Sequence, residues 1–239
     1  GLGGAGLVKA FDRLYGISTD VVELDPEVAR AAREWFGFRP TGALHLEDGR
    51  AFFRRPGSLY DFIVVDAFSG DQMPHHLFTR EAFEEAARRL EPGGILAINM
   101  IGRALGPRSG LWRSVARTLR EVFPHLRVFV SSPSLDPYTD QVNLTVLASA
   151  QPLEPAKDPS RGPPRLASLW DRLRSSPGGP AAGAPKGFIR GLELAADAPA
   201  LDGAAVLTDD FNPVEELSQE AFLDMRAYLL RHYGDVLAR

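Results

Sequence analysis

Short apolar runs rich in Val, Ile and Leu recur through the first part of the chain, and between them apolar positions return at helical spacing. This alternation predicts a largely parallel sheet covered by helices, the pattern of an α/β domain. Strands are expected near Asp20–Leu24, Ala43–Leu46, Phe62–Asp66 and Ile95–Met100. One helix is expected from Pro26 to about Phe36, with Asp25 as its cap and proline in its first turn. Another, capped by Thr79, runs to Leu90 and is stopped by Pro92-Gly93-Gly94. A helix over Leu111–Phe123 leads into a strand at Leu126–Val130, and a last strand, Val142–Ser149, is expected to close the sheet edge.

From Gln151 to Gly187 the pattern gives way to Pro, Gly, Ala and Ser, broken only by a candidate short helix at Leu166–Leu173. The chain is thus expected to divide into a main α/β domain over 1–150, an insertion or linker over 151–187, and a C-terminal portion over 188–239 packing on the main domain. That portion holds an apolar patch at Ala204–Leu207, the acidic Thr208-Asp209-Asp210, and an amphipathic helix from about Gln219 to His232. No internal repeat is evident.

Composition removes several classes of chemistry. With 239 residues, 44% hydrophobic and 24% charged, the chain is an ordinary globular one. Its net charge of -4 offers no clustered basic surface for a phosphate backbone, so no nucleic-acid partner is expected. Cysteine is absent, which rules out disulfides, thiolate catalysis and Cys-ligated metal. No apolar run approaches the roughly 20 residues that cross a bilayer, and no signal peptide is present, so this segment is expected to be soluble and cytoplasmic.

Candidate chemistry begins at the first residue. Gly1-Leu2-Gly3-Gly4-Ala5-Gly6 reads G-x-G-x-x-G ahead of the helical pattern Leu7–Tyr15, a spacing that lets a ligand approach a helix N-terminus closely. Such a loop ordinarily follows a strand, so the chain is expected to be a piece of a longer protein with its first strand upstream of Gly1. Val21-Val22-Glu23-Leu24-Asp25 places an acid about 20 residues beyond the loop, where a ribose diol needs an acceptor. The loop and this acid would serve a nicotinamide dinucleotide as well as an adenosyl ligand. Two further acids separate them. Asp48, followed by Gly49, could accept from an adenine amino group, or could be only a turn or cap residue. Asp66 ends the apolar run Tyr60–Val65, at the carboxyl end of a strand where open α/β sheets build their sites. Three acids on three successive strand ends suit a neutral or cationic adenosyl ligand better than a pyrophosphate. The long connection from Ala67 to Leu77 is a candidate substrate loop. Its adjacent histidines point apart, so no metal is expected, and Phe68 and Met73 read as packing residues.

These residues resemble the spermidine synthase family of polyamine aminopropyltransferases, including spermidine synthase-like proteins fused to membrane segments. The resemblance covers about Gly1 to Ser149, and Leu207-Thr208-Asp209-Asp210-Phe211-Asn212-Pro213-Val214-Glu215 is similar to a closing motif of the fused subgroup. It implies a doubly wound, mostly parallel Rossmann-like sheet of the S-adenosylmethionine-dependent methyltransferase type, lacking its first strand. It also implies decarboxylated S-adenosylmethionine or S-adenosylmethionine as co-substrate, a small amine as acceptor, a membrane segment ahead of Gly1 in the full-length protein, and a homodimer. By position, Gly1, Gly3, Gly4 and Gly6 fall on the donor loop, Glu23 on the ribose-binding acid and Asp48-Gly49 on the adenine-contacting pair. Asp66 falls on the catalytic aspartate, which also borders the donor. Asp71 is a displaced second catalytic and substrate-binding acid, Ser69 standing where the family has it; Tyr138 and Asp209 are substrate-binding candidates. Gly4 stands where the family's loop carries an acid, which weakens selection for the decarboxylated donor. A methyltransferase and a non-catalytic adenosyl-binding module therefore remain alternatives.

Overall fold

The computed structural model describes residues 1–68, 73–106, 108–130, 141–153, 192–194 and 199–218. They fall into two units, one made of Gly1–Arg55 and the other of the described residues from Pro56 onward. The helices expected at Leu166–Leu173 and Gln219–His232 lie outside the described residues. Among the described residues no helix is long and apolar enough to cross a membrane.

In the first unit the glycine loop enters α1 (Gly6–Ala10), which continues as a π-helical turn over Phe11–Tyr15 and ends at Gly16 with φ 62°. There follow β1 (Val21–Glu23), α2 (Pro26–Trp35), β2 (Leu44–Leu46) and α3 (Gly49–Arg54). The start of α2 is fixed as its sequence predicts: the Asp25 carboxylate accepts the Glu27 N–H at 2.8 Å and proline occupies the first turn. β1 and β2 pair in parallel with Glu23 opposite Leu46. Leu2, Ala5, Val8, Val21, Ala29, Ala32 and Phe38 form the core between loop, strand and helix. The small residues Ala29 and Ala32 face inward three positions apart, which lets α2 lie close to its neighbours.

The second unit runs β3 (Tyr60–Val65), a 3-10 turn (His75–Leu77), α4 (Arg80–Ala87), β4 (Leu90–Arg103), α5 (Gly110–Arg120), β5 (His125–Val130), β6 (Gln141–Ser149) and β7 (Leu192–Leu194). Its sheet has the order β3-β4-β6-β5-β7. β3 and β4 are parallel, whereas β6 is antiparallel to both its neighbours and β7 is antiparallel to β5. The expectation that residues 142–149 close the edge is corrected: β6 lies inside the sheet, where its Leu144, Val146 and Ala148 are fully buried. α4 ends at Ala87 rather than Leu90, because Leu90 already pairs with Tyr60 as the first residue of β4. The Pro92-Gly93-Gly94 segment is an irregularity within that long strand. A Cβ on Gly94 would meet the Tyr60 carbonyl oxygen at 3.0 Å, so only glycine allows the two backbones to approach there.

Residues 199–218 are strapped across α5 and onto α4. Arg113 donates to the Ala200 carbonyl at 2.8 Å, Ser114 accepts the Ala205 N–H, and Thr118 accepts the Leu207 N–H at 2.8 Å while donating to the Ser114 carbonyl. The Leu207 side chain is fully buried and its carbonyl takes the Arg80 N–H. Thr79 caps α4 by accepting the Ala82 N–H and donates its own proton to Asp209, whose N–H in turn binds Glu81. Burial pushes the Glu81 carboxyl up. Its own backbone N–H, the Arg80 guanidinium and the Asp209 N–H together outweigh that and hold it below the ordinary 4.5.

Two outcomes follow from the strap. Thr118→Val keeps the side-chain shape but leaves the Leu207 N–H buried without its acceptor; urea denaturation should read a loss of about 1–3 kcal/mol, with Thr118→Ser close to wild type. A carboxyl whose folded pKa is depressed stabilises the fold above its unfolded pKa, and this is lost as pH falls through the folded value. The stability gap between wild type and Glu81→Gln should therefore be full above about pH 5 and shrink on acidification. A gap independent of pH would contradict the assigned bond.

Candidate functional site

Within the first unit the chain's own groups shape the loop at Gly1–Gly6. Gly3 and Ala5 both take left-handed backbone angles, with φ 48° and 58°. Glycine adopts this freely; Ala5 tolerates it with its methyl fully buried and its N–H bonded to the Leu2 carbonyl at 2.9 Å. Glu23 at the end of β1 braces the loop, one carboxylate oxygen accepting the Leu2 N–H at 2.7 Å and the other the Asp25 N–H at 3.0 Å. An ionised carboxylate has about four lone-pair sites, so two hydroxyls could still be accepted. A Cβ on Gly4 would meet the Phe36 ring at 3.3 Å, so this aromatic edge borders the place where a side chain at position 4 would project.

The Glu47 N–H extends the parallel pairing to the Glu23 carbonyl, which brings Asp48 to the same sheet end as Glu23. Asp48 caps α3, with one oxygen accepting the N–H groups of Arg50 and Ala51 at 2.9 and 3.0 Å, and Gly49 is the first residue of that helix. The cap reading of Asp48 is thus realised. Arg55 pairs with Glu47, and the His45 ring packs on Phe52 at 4.8 Å, tying the end of β2 to α3. Leu24 and Leu46, each at the end of its strand, expose large apolar surface beside these acids. Neither was singled out from the sequence, because an exposed leucine is ordinary until its position is known.

In the second unit Asp66 follows the last residue of β3 and is half-buried. Val65 is in register with Ile98 of β4, so Asp66 lies beside Asn99, whose side-chain amide donates to Asp66 Oδ1 at 2.9 Å. Asn99 was missed by sequence reasoning, although a lone amide in the apolar run Ile95–Met100 was a readable signal. Met73 is buried as expected, with Leu77 and Phe78 beside it in the chain, whereas Phe68 is exposed. Asp209 joins Thr79 and Glu81 at the start of α4. His75 Nδ1 lies 3.0 Å from Glu215 Oε1, and its carbonyl accepts from the Asn212 amide at 2.7 Å. Asp71 and Tyr138 lie outside the described residues, as does Ser69. Among the described residues no three His, Asp or Glu side chains gather as a metal ion would require.

Residues 15–149 match the model of the spermine/spermidine synthase domain. A polyamine aminopropyltransferase of Vibrio vulnificus is 37% identical over 129 residues, which are 52% of this chain and 42% of that enzyme, so the chain spans under half of this relative. Among solved structures, a probable spermidine synthase from Corynebacterium glutamicum aligns with a TM-score of 0.59 at 25% identity, covering 87% of this chain and 69% of that one. Human methyltransferase-like protein 13, solved in complex with SAH, aligns with a TM-score of 0.52 at 25% identity over 74% of this chain and 81% of its own. These likenesses agree with the α/β methyltransferase-type fold. The matched stretch takes in Glu23, Asp48, Asp66 and Asn99, begins after the glycine loop, and amounts to more than half of the chain. By that match, the chain belongs to the spermine/spermidine synthase domain family.

Proposed function

We propose that this chain is the adenosyl-binding part of a transferase that moves the aminopropyl group of decarboxylated S-adenosylmethionine to a small amine. The observation that carries this reading is Asp66, half-buried at a strand end in the matched region and held on one oxygen by Asn99. In the reading, Glu23 accepts the ribose hydroxyls, Asp48 and Gly49 border the adenine, and Leu24 and Leu46 offer it apolar surface.

The acceptor must lose a proton before it reacts. An alkylamine with a pKa near 10 is only about one part in a thousand free base at pH 7. Asp66 would bind the ammonium, orient it and take or relay its proton, with Asn99 fixing the carboxylate plane. The amine lone pair then forms the new C–N bond at the carbon beside the sulfonium. The C–S bond breaks, its electron pair returns to sulfur, and methylthioadenosine leaves. Alignment of nitrogen, carbon and sulfur supplies most of the acceleration. Asp71 and Asp209 are the proposed holders of the distal cation, with Tyr138 lining the acceptor. A small amine is favoured over nucleic acid by the net charge of -4.

Methyl transfer from intact S-adenosylmethionine is the second reading, and Gly4 is the observation that favours it. With no acid at that position and the Phe36 ring beside it, the loop offers nothing there to repel a donor carboxylate. The resemblance to a methyltransferase structure holding SAH supports the same choice.

Incubating the protein with putrescine and each donor separates the readings by product mass: methylthioadenosine marks aminopropyl transfer and S-adenosylhomocysteine marks methyl transfer. Asp66→Asn still offers an oxygen to Asn99 and should keep the fold, yet lower turnover by roughly 10²–10⁴ with adenosyl-ligand affinity within about twofold. Unchanged turnover would remove Asp66 from the mechanism. Gly4→Asp needs only a small shift of the exposed Phe36 ring, and its charge should raise the preference for the decarboxylated donor by roughly tenfold; equal effects on both donors would show that position 4 does not face the donor's tail.

A further inference from the structure

We infer that the turn at residues 207–215 is a clip that positions residues 75–79, the stretch leading into α4, for acceptor binding, an inference that rests on the transfer reading above. The connection from Asp66 to α4 ends in a stretch fixed from two sides. From within, Met73, Leu77 and Phe78 are buried. From outside, the turn grips it along its length: the Asn212 amide donates to the His75 carbonyl at 2.7 Å, Glu215 meets His75 Nδ1 at 3.0 Å, and Asp209 takes the Thr79 hydroxyl at 2.8 Å.

The clip is itself preorganised. Thr208 and Phe211 close it with reciprocal backbone bonds, the Thr208 N–H to the Phe211 carbonyl at 2.8 Å and the Phe211 N–H to the Thr208 carbonyl at 3.3 Å. Leu207 and Val214 are fully buried on either side of it. Asn212 uses both ends of its amide, the oxygen accepting the Val214 N–H at 3.1 Å and the nitrogen reaching His75. Aspartate could perform the first task but not the second.

The bonds to His75 add little to core burial, since that side chain is exposed and its buried neighbours are already packed. What they fix is the backbone course of residues 75–79, which lead into α4. The donor-side groups Glu23 and Asp48 are braced by bonds within their own unit. Loosening the clip therefore acts on the acceptor and spares the donor. Asn212 and Glu215 are positioning residues in this account, acting through residues 75–79.

The test uses the full reading frame with putrescine as acceptor and decarboxylated S-adenosylmethionine as donor. Asn212→Asp keeps the bond to the Val214 N–H and removes the donor to His75; Glu215→Gln keeps the shape and weakens the His75 contact. Each should raise the putrescine KM about three- to tenfold, the range of one lost hydrogen bond, with kcat and S-adenosylhomocysteine affinity within twofold. Hydrogen exchange at the Leu77 and Phe78 amides should quicken in Asn212→Asp. An unchanged KM overturns the inference, and so does an equal loss of donor affinity, which would mark a general loss of fold. If the wild-type protein transfers nothing to putrescine, the transfer reading falls and takes acceptor positioning with it. Exchange at Leu77 and Phe78 then still decides whether the clip orders residues 75–79, and an unchanged rate overturns that too.

Discussion

The pairing of β3 with β4 governs the chemistry of the second unit. Val65 opposite Ile98 is what sets Asp66 beside Asn99, and both strand residues are buried, so the register is enforced by apolar burial and not by the polar pair itself. A slip of one residue would turn the buried faces outward and separate carboxylate from amide together. The site's geometry is in this sense a by-product of core packing. A carboxylate held by a neutral donor on one oxygen keeps acceptor capacity besides that bond.

Strand ends and helix caps were legible because each rests on local chemistry. Asp25 with Pro26, and Thr79 ahead of an amphipathic stretch, read as helix starts and are helix starts. The position of β6 was not legible in the same way. Its apolar run says that it is buried, but nothing in residues 142–149 says which strands lie beside it, since that depends on pairing across long sequence separation. The short helix α3 was missed for a related reason: six residues give too little periodicity to stand out, and Asp48 was as easily read as a ligand contact. Asn99 escaped because its partner is 33 residues away. The grip of Asn212 on His75 spans 137.

Polar side chains at element ends carry two tasks throughout the molecule. Glu23 braces the glycine loop and presents acceptor capacity at a strand end; Asp48 caps α3 at the same sheet end; Thr79 caps α4 and holds Asp209. The acids on the strand ends all fall within the stretch that matches the spermine/spermidine synthase domain. Gly4 lies outside that stretch, with the apolar Phe36 ring beside it.

The place of β6 between β4 and β5 also bears on synthesis. Both neighbours leave the ribosome before it, and neither pairs with the other, so until residues 141–149 emerge each presents an open edge flanked by buried-type side chains such as Ile98, Met100, Val128 and Val130. Residues 141–149 thus fill a gap between two earlier strands, and a chain that stalls short of Ser149 leaves the facing edges of both open at once.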